Sequence, residues 1–160
     1  MFIAFENINP AARIWIYQAS RELTAEEEAT IKNKGRQFVE QWTAHKQNLL
    51  ASFEILHHLF LIVAVDETVN DASGCSIDKA FGFIRQLEND YKINLLDRRA
   101  IAYEKNDEIV LTSLTLFEKL FKEGKISDQD LIYNNLINTK SELAASWRIP
   151  VHKSWLMQVM

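Results

Sequence analysis

The chain carries a single cysteine, Cys75, among 160 residues. No intrachain disulfide can form, and a structural zinc centre built from several thiolates is excluded within one chain. Four glycines and two prolines are all that punctuate it. Linkers therefore have few places to sit, and one domain over residues 1–160 is expected. So few glycines can be checked one by one against the phosphate loops. The Gly-Lys pair, Gly124-Lys125, is followed by Ile126 rather than Ser or Thr. G-x-G-x-x-G, G-x-S-x-G and H-E-x-x-H are missing too. Nucleotide binding through a standard phosphate loop is thereby excluded.

Long apolar runs are also scarce. The longest, Leu59–Val65, falls far short of the roughly 20 residues that span a bilayer. The opening Met1–Glu6 lacks the basic lead of a secretory signal. Basic excess is absent: the net charge is −4. Without a basic stripe to neutralise phosphates, neither nucleic acid nor a membrane is an expected partner. A cytoplasmic location is expected, which suits a lone reduced thiol.

What is present is an ordinary globular balance, 48% hydrophobic and 25% charged. Arg13–Gln18 reads as a strand with apolar residues on both faces, as in the interior of a sheet. Thr24-Ala-Glu-Glu27 is a capping box, and Ile31, Phe38, Val39 and Trp42 follow at helical spacing, which predicts a helix over 25–42. Gly35 lies on that stripe, and close packing against a neighbour is the reason to keep a glycine there. Residues 50–65 form a strand region, as a hairpin turning at His57-His58 or as one long bent strand. Ile77, Ala80, Phe81, Ile84, Leu87 and Tyr91 make a second helix, capped by Ser73 or Ser76. A hairpin is expected around Lys105-Asn106-Asp107, a short helix over Leu114–Phe121 ending at Gly124, and a strand at Leu131–Tyr133. Thr139–Glu142 is a second capping-box pattern. The order β-α-β-β-α-β-β-α-β-α predicts an α+β domain with helices packed on a mixed sheet.

Chemistry concentrates around Ser73-Gly74-Cys75-Ser76-Ile77-Asp78. Free amides at a helix start bind anions and lower the pKa of a nearby thiol. Ser73, Gly74, Cys75, Ser76 and Asp78, with Asp66 and Glu67 at the preceding strand end, form an expected pocket for a small anionic ligand or a peptide group. A thiol enzyme is the competing expectation, with Cys75 as nucleophile and His45 as base, His57 and His58 standing next. Adjacent strand residues such as Asp66 and Glu67 point to opposite faces, so they cannot both act on one atom while the strand stays regular. No metal and no cofactor is expected. A third expectation is a non-catalytic interaction module, or a homo-oligomer seam, built on the apolar tail Trp147–Met160. Against it stands the simpler expectation that this tail covers the sheet of its own domain.

Several segments resemble a family of short bacterial proteins that carry the label "ABC transporter ATPase". They are Trp42-Thr43-Ala44-His45, Ala51-x-Phe53, Val65-Asp66-Glu67, Ala72–Asp78 and Asn134-Asn135-Leu136, within about residues 13–155. Members often have Gly after the histidine, where this chain has Lys46. The resemblance supports grouping His45, Asp66, Glu67 and Cys75–Asp78. The ATP hydrolysis that the label implies conflicts with the missing phosphate loop, and Ser73-Gly74-Cys75-Ser76 is not the Leu-Ser-Gly-Gly-Gln signature of transporter ATPases.

Overall fold

A computed structural model describes all residues, Met1–Met160. Its contacts divide the chain into two compact units, Met1–Leu96 with Asn138–Ser141, and Asp97–Ile137 with Glu142–Met160.

In the first unit, β1 (Arg13–Gln18), β4 (Ala51–Leu56) and β5 (Phe60–Val65) form an antiparallel sheet ordered β1-β5-β4. Helix α1 (Ala25–Gln41) precedes a small hairpin of β2 (Thr43–Ala44) and β3 (Gln47–Asn48), and α2 (Gly74–Tyr91) follows β5. The apolar run becomes the centre of the sheet: every residue of β5 is buried, with Phe60, Leu61, Ile62 and Val63 at 0% exposure. Strand β1, read from its two apolar faces as interior, is an edge strand instead. The wholly apolar β5 has the stronger claim to the middle, where both faces and both edges are covered.

Capping decides where both helices begin. The Thr24 hydroxyl accepts from Glu27 N–H at 3.1 Å, and the Glu27 carboxylate accepts from Thr24 N–H at 3.0 Å. Ser73 and Ser76 form the corresponding box at α2, each side chain accepting from the other's amide. Residues Ile31, Val39, Trp42, Phe53, Val63, Ile84 and Leu87 meet in the core of this unit. Gly35 lies against the Phe53 ring so closely that a Cβ would sit 2.2 Å from its Cδ1, the close approach expected of a glycine on the buried stripe.

The second unit contains β6 (Ala100–Lys105), β7 (Glu108–Ser113), α3 (Leu114–Lys122), β8 (Leu131–Tyr133), α4 (Glu142–Ala145), β9 (Arg148–Pro150) and α5 (Leu156–Val159). Its sheet is ordered β7-β6-β8-β9, antiparallel throughout. Ile101, Tyr103, Phe117, Ile126, Ile132, Val151 and Leu156 form its core. The α+β class holds, but the strands pair in three antiparallel sheets rather than one mixed sheet. Each hairpin closes locally, and no pair of long strands is joined in parallel.

The apolar tail packs largely within its own unit. Val151 and Leu156 are fully buried in that core, with Ile149, Trp155 and Met160 packed against it, while Met157 and Val159 remain exposed.

Candidate functional site

The α2 start is built by short-range bonds. Besides the paired serine caps, the Ser76 hydroxyl donates to Ser73 C=O at 2.8 Å, and Ser76 is 1% exposed. The Trp42 indole N–H donates to Ser76 C=O at 2.8 Å, tying the end of α1 to the first turn of α2. Both serines therefore act on the helix itself, which leaves the amides of Gly74 and Cys75 outside the cap. Cys75 and Asp78 are exposed.

Asp66 and Glu67 are bound into the loop that leads there. Asp66 Oδ1 accepts from Thr68 N–H at 3.0 Å and from the Thr68 hydroxyl at 2.6 Å, an Asx-type turn. Glu67 Oε2 accepts from Ala72 N–H at 3.1 Å, and Glu67 Oε1 lies 3.7 Å from Arg13 Nη1. Glu67 thus reaches the residue before the α2 cap, whereas Asp66 folds back on its own turn.

The histidines sit at turn tips. His45 and Lys46 have φ of 50° and 65°, and link β2 to β3. Two consecutive left-handed residues are what a type I′ hairpin turn requires. Lys46 takes this conformation although it is not a glycine. His45 is exposed and makes no hydrogen bond to Cys75. His57 and His58, with φ of 55° and 58°, turn β4 into β5, so the hairpin alternative describes residues 50–65. His58 Nδ1 lies 2.5 Å from Glu28 Oε2 on α1, and Lys32 bridges Glu28 at 3.5 Å and Glu54 at 3.1 Å. The hydrogen bond to Glu28 raises the His58 pKa above its ordinary value. Nowhere do three His, Cys, Asp or Glu side chains gather in a way that could hold a metal ion.

Sequence reasoning passed over two features of the second unit. Glu104 accepts a two-pronged contact from Arg148, with Nη2 at 2.6 Å, and a hydrogen bond from the Tyr133 hydroxyl at 2.8 Å. Burial, together with that bond, pushes Tyr133 up to about 12. The charges lie 44 residues apart, so no local pattern announces the pair. The other feature is the outer edge of β7. Leu114 N–H donates to Arg99 C=O at 2.9 Å. In an antiparallel ladder this sets the alternation: Glu108, Val110 and Thr112 turn their main-chain groups to β6, and Ile109, Leu111 and Ser113 turn theirs outward. Glu108–Thr112 was legible as a strand, but its extension to Ser113 and its position at the edge were not.

The other long edges each meet main-chain groups from elsewhere at one end. At β4, Ala51 N–H donates to Met1 C=O and Ile3 N–H to Ala51 C=O. At β1, Ile14 N–H donates to Asn138 C=O. Strand β9 is three residues long and ends in Pro150. Strand β7 has six residues and no Lys, Gly or Pro. These edges define an α+β protein in which β7, unlike β1 and β4, meets no main-chain group on its outer side. No family model, curated protein or solved structure matches the chain.

Proposed function

We propose that the chain is a non-catalytic interaction module that takes up an extended segment of another polypeptide along β7. The observation that carries this reading is the row of outward main-chain groups at Ile109 and Leu111 and the outward N–H of Ser113, on a six-residue edge strand with no Lys, Gly or Pro. Strand addition draws affinity from main-chain bonds, with alternate side chains setting preference. The anion-pocket and thiol readings of Ser73–Asp78 have less support. The Ser73 and Ser76 hydroxyls bond within the helix cap, Asp66 and Glu67 hold their loop, and the His45 imidazole has no bond to the Cys75 thiol.

A blocked six-residue peptide of alternating valine and threonine tests the reading. Added to dilute protein, it should slow amide exchange at Ile109, Leu111 and Ser113 and leave Val110 and Thr112, already bonded to β6, unchanged. Equal exchange with and without peptide at all five positions would overturn the interaction role.

A further inference from the structure

We propose that the partner taken up by β7 is β7 of a second copy of this chain, joined antiparallel about a twofold axis through Leu111. This rests on the interaction reading above and adds to it the occupant and the register.

Main-chain geometry restricts the register. Only residues that turn outward can exchange hydrogen bonds across a new antiparallel ladder. Those are Ile109 and Leu111 with both main-chain groups, and Ser113 with its N–H, its C=O being taken by the first turn of α3. The register that engages all three sets Leu111 opposite Leu111 and Ile109 opposite Ser113. The same surface then serves both copies, as a twofold interface demands. The two four-stranded sheets become one continuous sheet.

Charge argues for a second copy rather than an arbitrary strand. The start of β7 carries Asp107 and Glu108, both exposed, and Lys105, opposite Glu108 on β6, directs its Nζ to Asp130 at 3.7 Å. Beside its far end lies the exposed Asp97-Arg98-Arg99 that leads into β6, and Arg99 Nη2 donates to the Thr115 hydroxyl at 2.9 Å, one residue beyond Leu114. In the register above, Glu108 of one copy lies opposite Leu114 of the other, beside that Arg99 guanidinium. The symmetry repeats the contact, so two acid–base pairs flank the ladder. A parallel arrangement would set like charges together and would leave the outward groups out of this register. The strand between these ends carries Ile109, Val110 and Leu111 with no interrupting charge.

Sedimentation of the full chain over a range of concentrations, with amide exchange by NMR, decides the matter. The expected result is a concentration-dependent dimer in which Ile109, Leu111 and Ser113 gain protection as it forms, while Val110 and Thr112 do not change. Glu108→Arg and Arg99→Glu should each weaken the dimer roughly tenfold, since each turns two attractions into repulsions. The double variant should recover association to near the parent level, which also controls for damage to folding. A chain that stays monomeric overturns the proposal. So does a dimer whose Ile109, Leu111 and Ser113 amides exchange freely, or an open-ended series of larger assemblies. A monomeric chain that still protects those amides on adding the valine–threonine peptide removes the second copy and leaves the interaction role standing. A chain that responds to neither removes both.

Discussion

The β4–β5 hairpin of the first unit and the β6–β7 hairpin of the second are alike in local design. Each has two six-residue strands and turns on two consecutive left-handed residues that are not glycine, His57-His58 in one and Asn106-Asp107 in the other. Each also buries one hydroxyl without a partner, Ser52 in β4 and Thr112 in β7. Their surroundings differ. Strand β5 has a neighbour on both sides, and the first hairpin lies under α1 through the contact of Gly35 with Phe53. Strand β6 likewise has two neighbours, and β4 and β7 each have one, but β4 is also bonded at Ala51 by Met1 and Ile3 while β7 meets no main-chain group on its outer side. The same hairpin chemistry thus yields an edge strand packed under a helix in one place and an edge strand left open in the other. What surrounds a hairpin, more than its turn, decides whether it is a structural or an associative element.

The largest effects should come from breaking the enclosure of the first hairpin. Phe53→Ala removes a ring that is 2% exposed and should cost about 3–5 kcal/mol in urea unfolding. Gly35→Ala should also destabilise, by about 1–3 kcal/mol, because overpacking against a buried ring outweighs the roughly 1 kcal/mol that alanine gains in a helix. A more stable Gly35→Ala protein would mean the ring yields freely. Next, Ser52→Ala should stabilise by about 1 kcal/mol by removing a buried hydroxyl that bonds nothing, and Thr112→Val should act in the same direction. If only one does, the hairpins differ in how water reaches them.

The turns should give smaller changes. Asp107→Gly creates an Asn-Gly turn and should gain about 0.5–1 kcal/mol, as should Lys46→Gly, both at left-handed positions. His58→Gly should gain less, because it also loses the contact with Glu28. The smallest effect is the pH response of that contact. Glu28 and Glu22 favour the charged imidazole, while desolvation and Lys32 oppose it. Because the folded pKa is raised above 6.5, the stabilisation is complete below that pH and disappears as pH rises through the folded value. Unfolding midpoints of the parent and of His58→Gln should therefore converge between mildly acidic and mildly alkaline pH. A constant gap would place the His58 contribution in packing alone. The second hairpin has no histidine at its turn and should show no such step.

The site was legible in part. The Ser-Gly-Cys-Ser segment does begin a helix, and Cys75 is exposed there. Sequence spacing could not reveal that Ser73 and Ser76 bond each other, that Asp66 bonds Thr68, or that Trp42 reaches Ser76 across 34 positions. The side-chain type limits what a residue can bond. Its partner is chosen among whatever the fold brings within about 3 Å. The β2–β3 hairpin also escaped notice, since Thr-Ala and Gln-Asn have no strand periodicity and pair only because His45-Lys46 turns between them.

Read without its fold, the chain already determined its helix starts at Thr24 and at Ser73 or Ser76, the hairpin at Lys105-Asn106-Asp107, the burial of Leu59–Val65 and the need for a close neighbour at Gly35. Those features depend on bonds and periodicities confined to a few residues. The tertiary structure alone decided that β5 is central and β1 marginal, that Phe53 is the neighbour of Gly35, and that β7 keeps an open side. Strand order depends on which distant apolar surfaces exclude water together, and that competition is settled only when the whole chain packs.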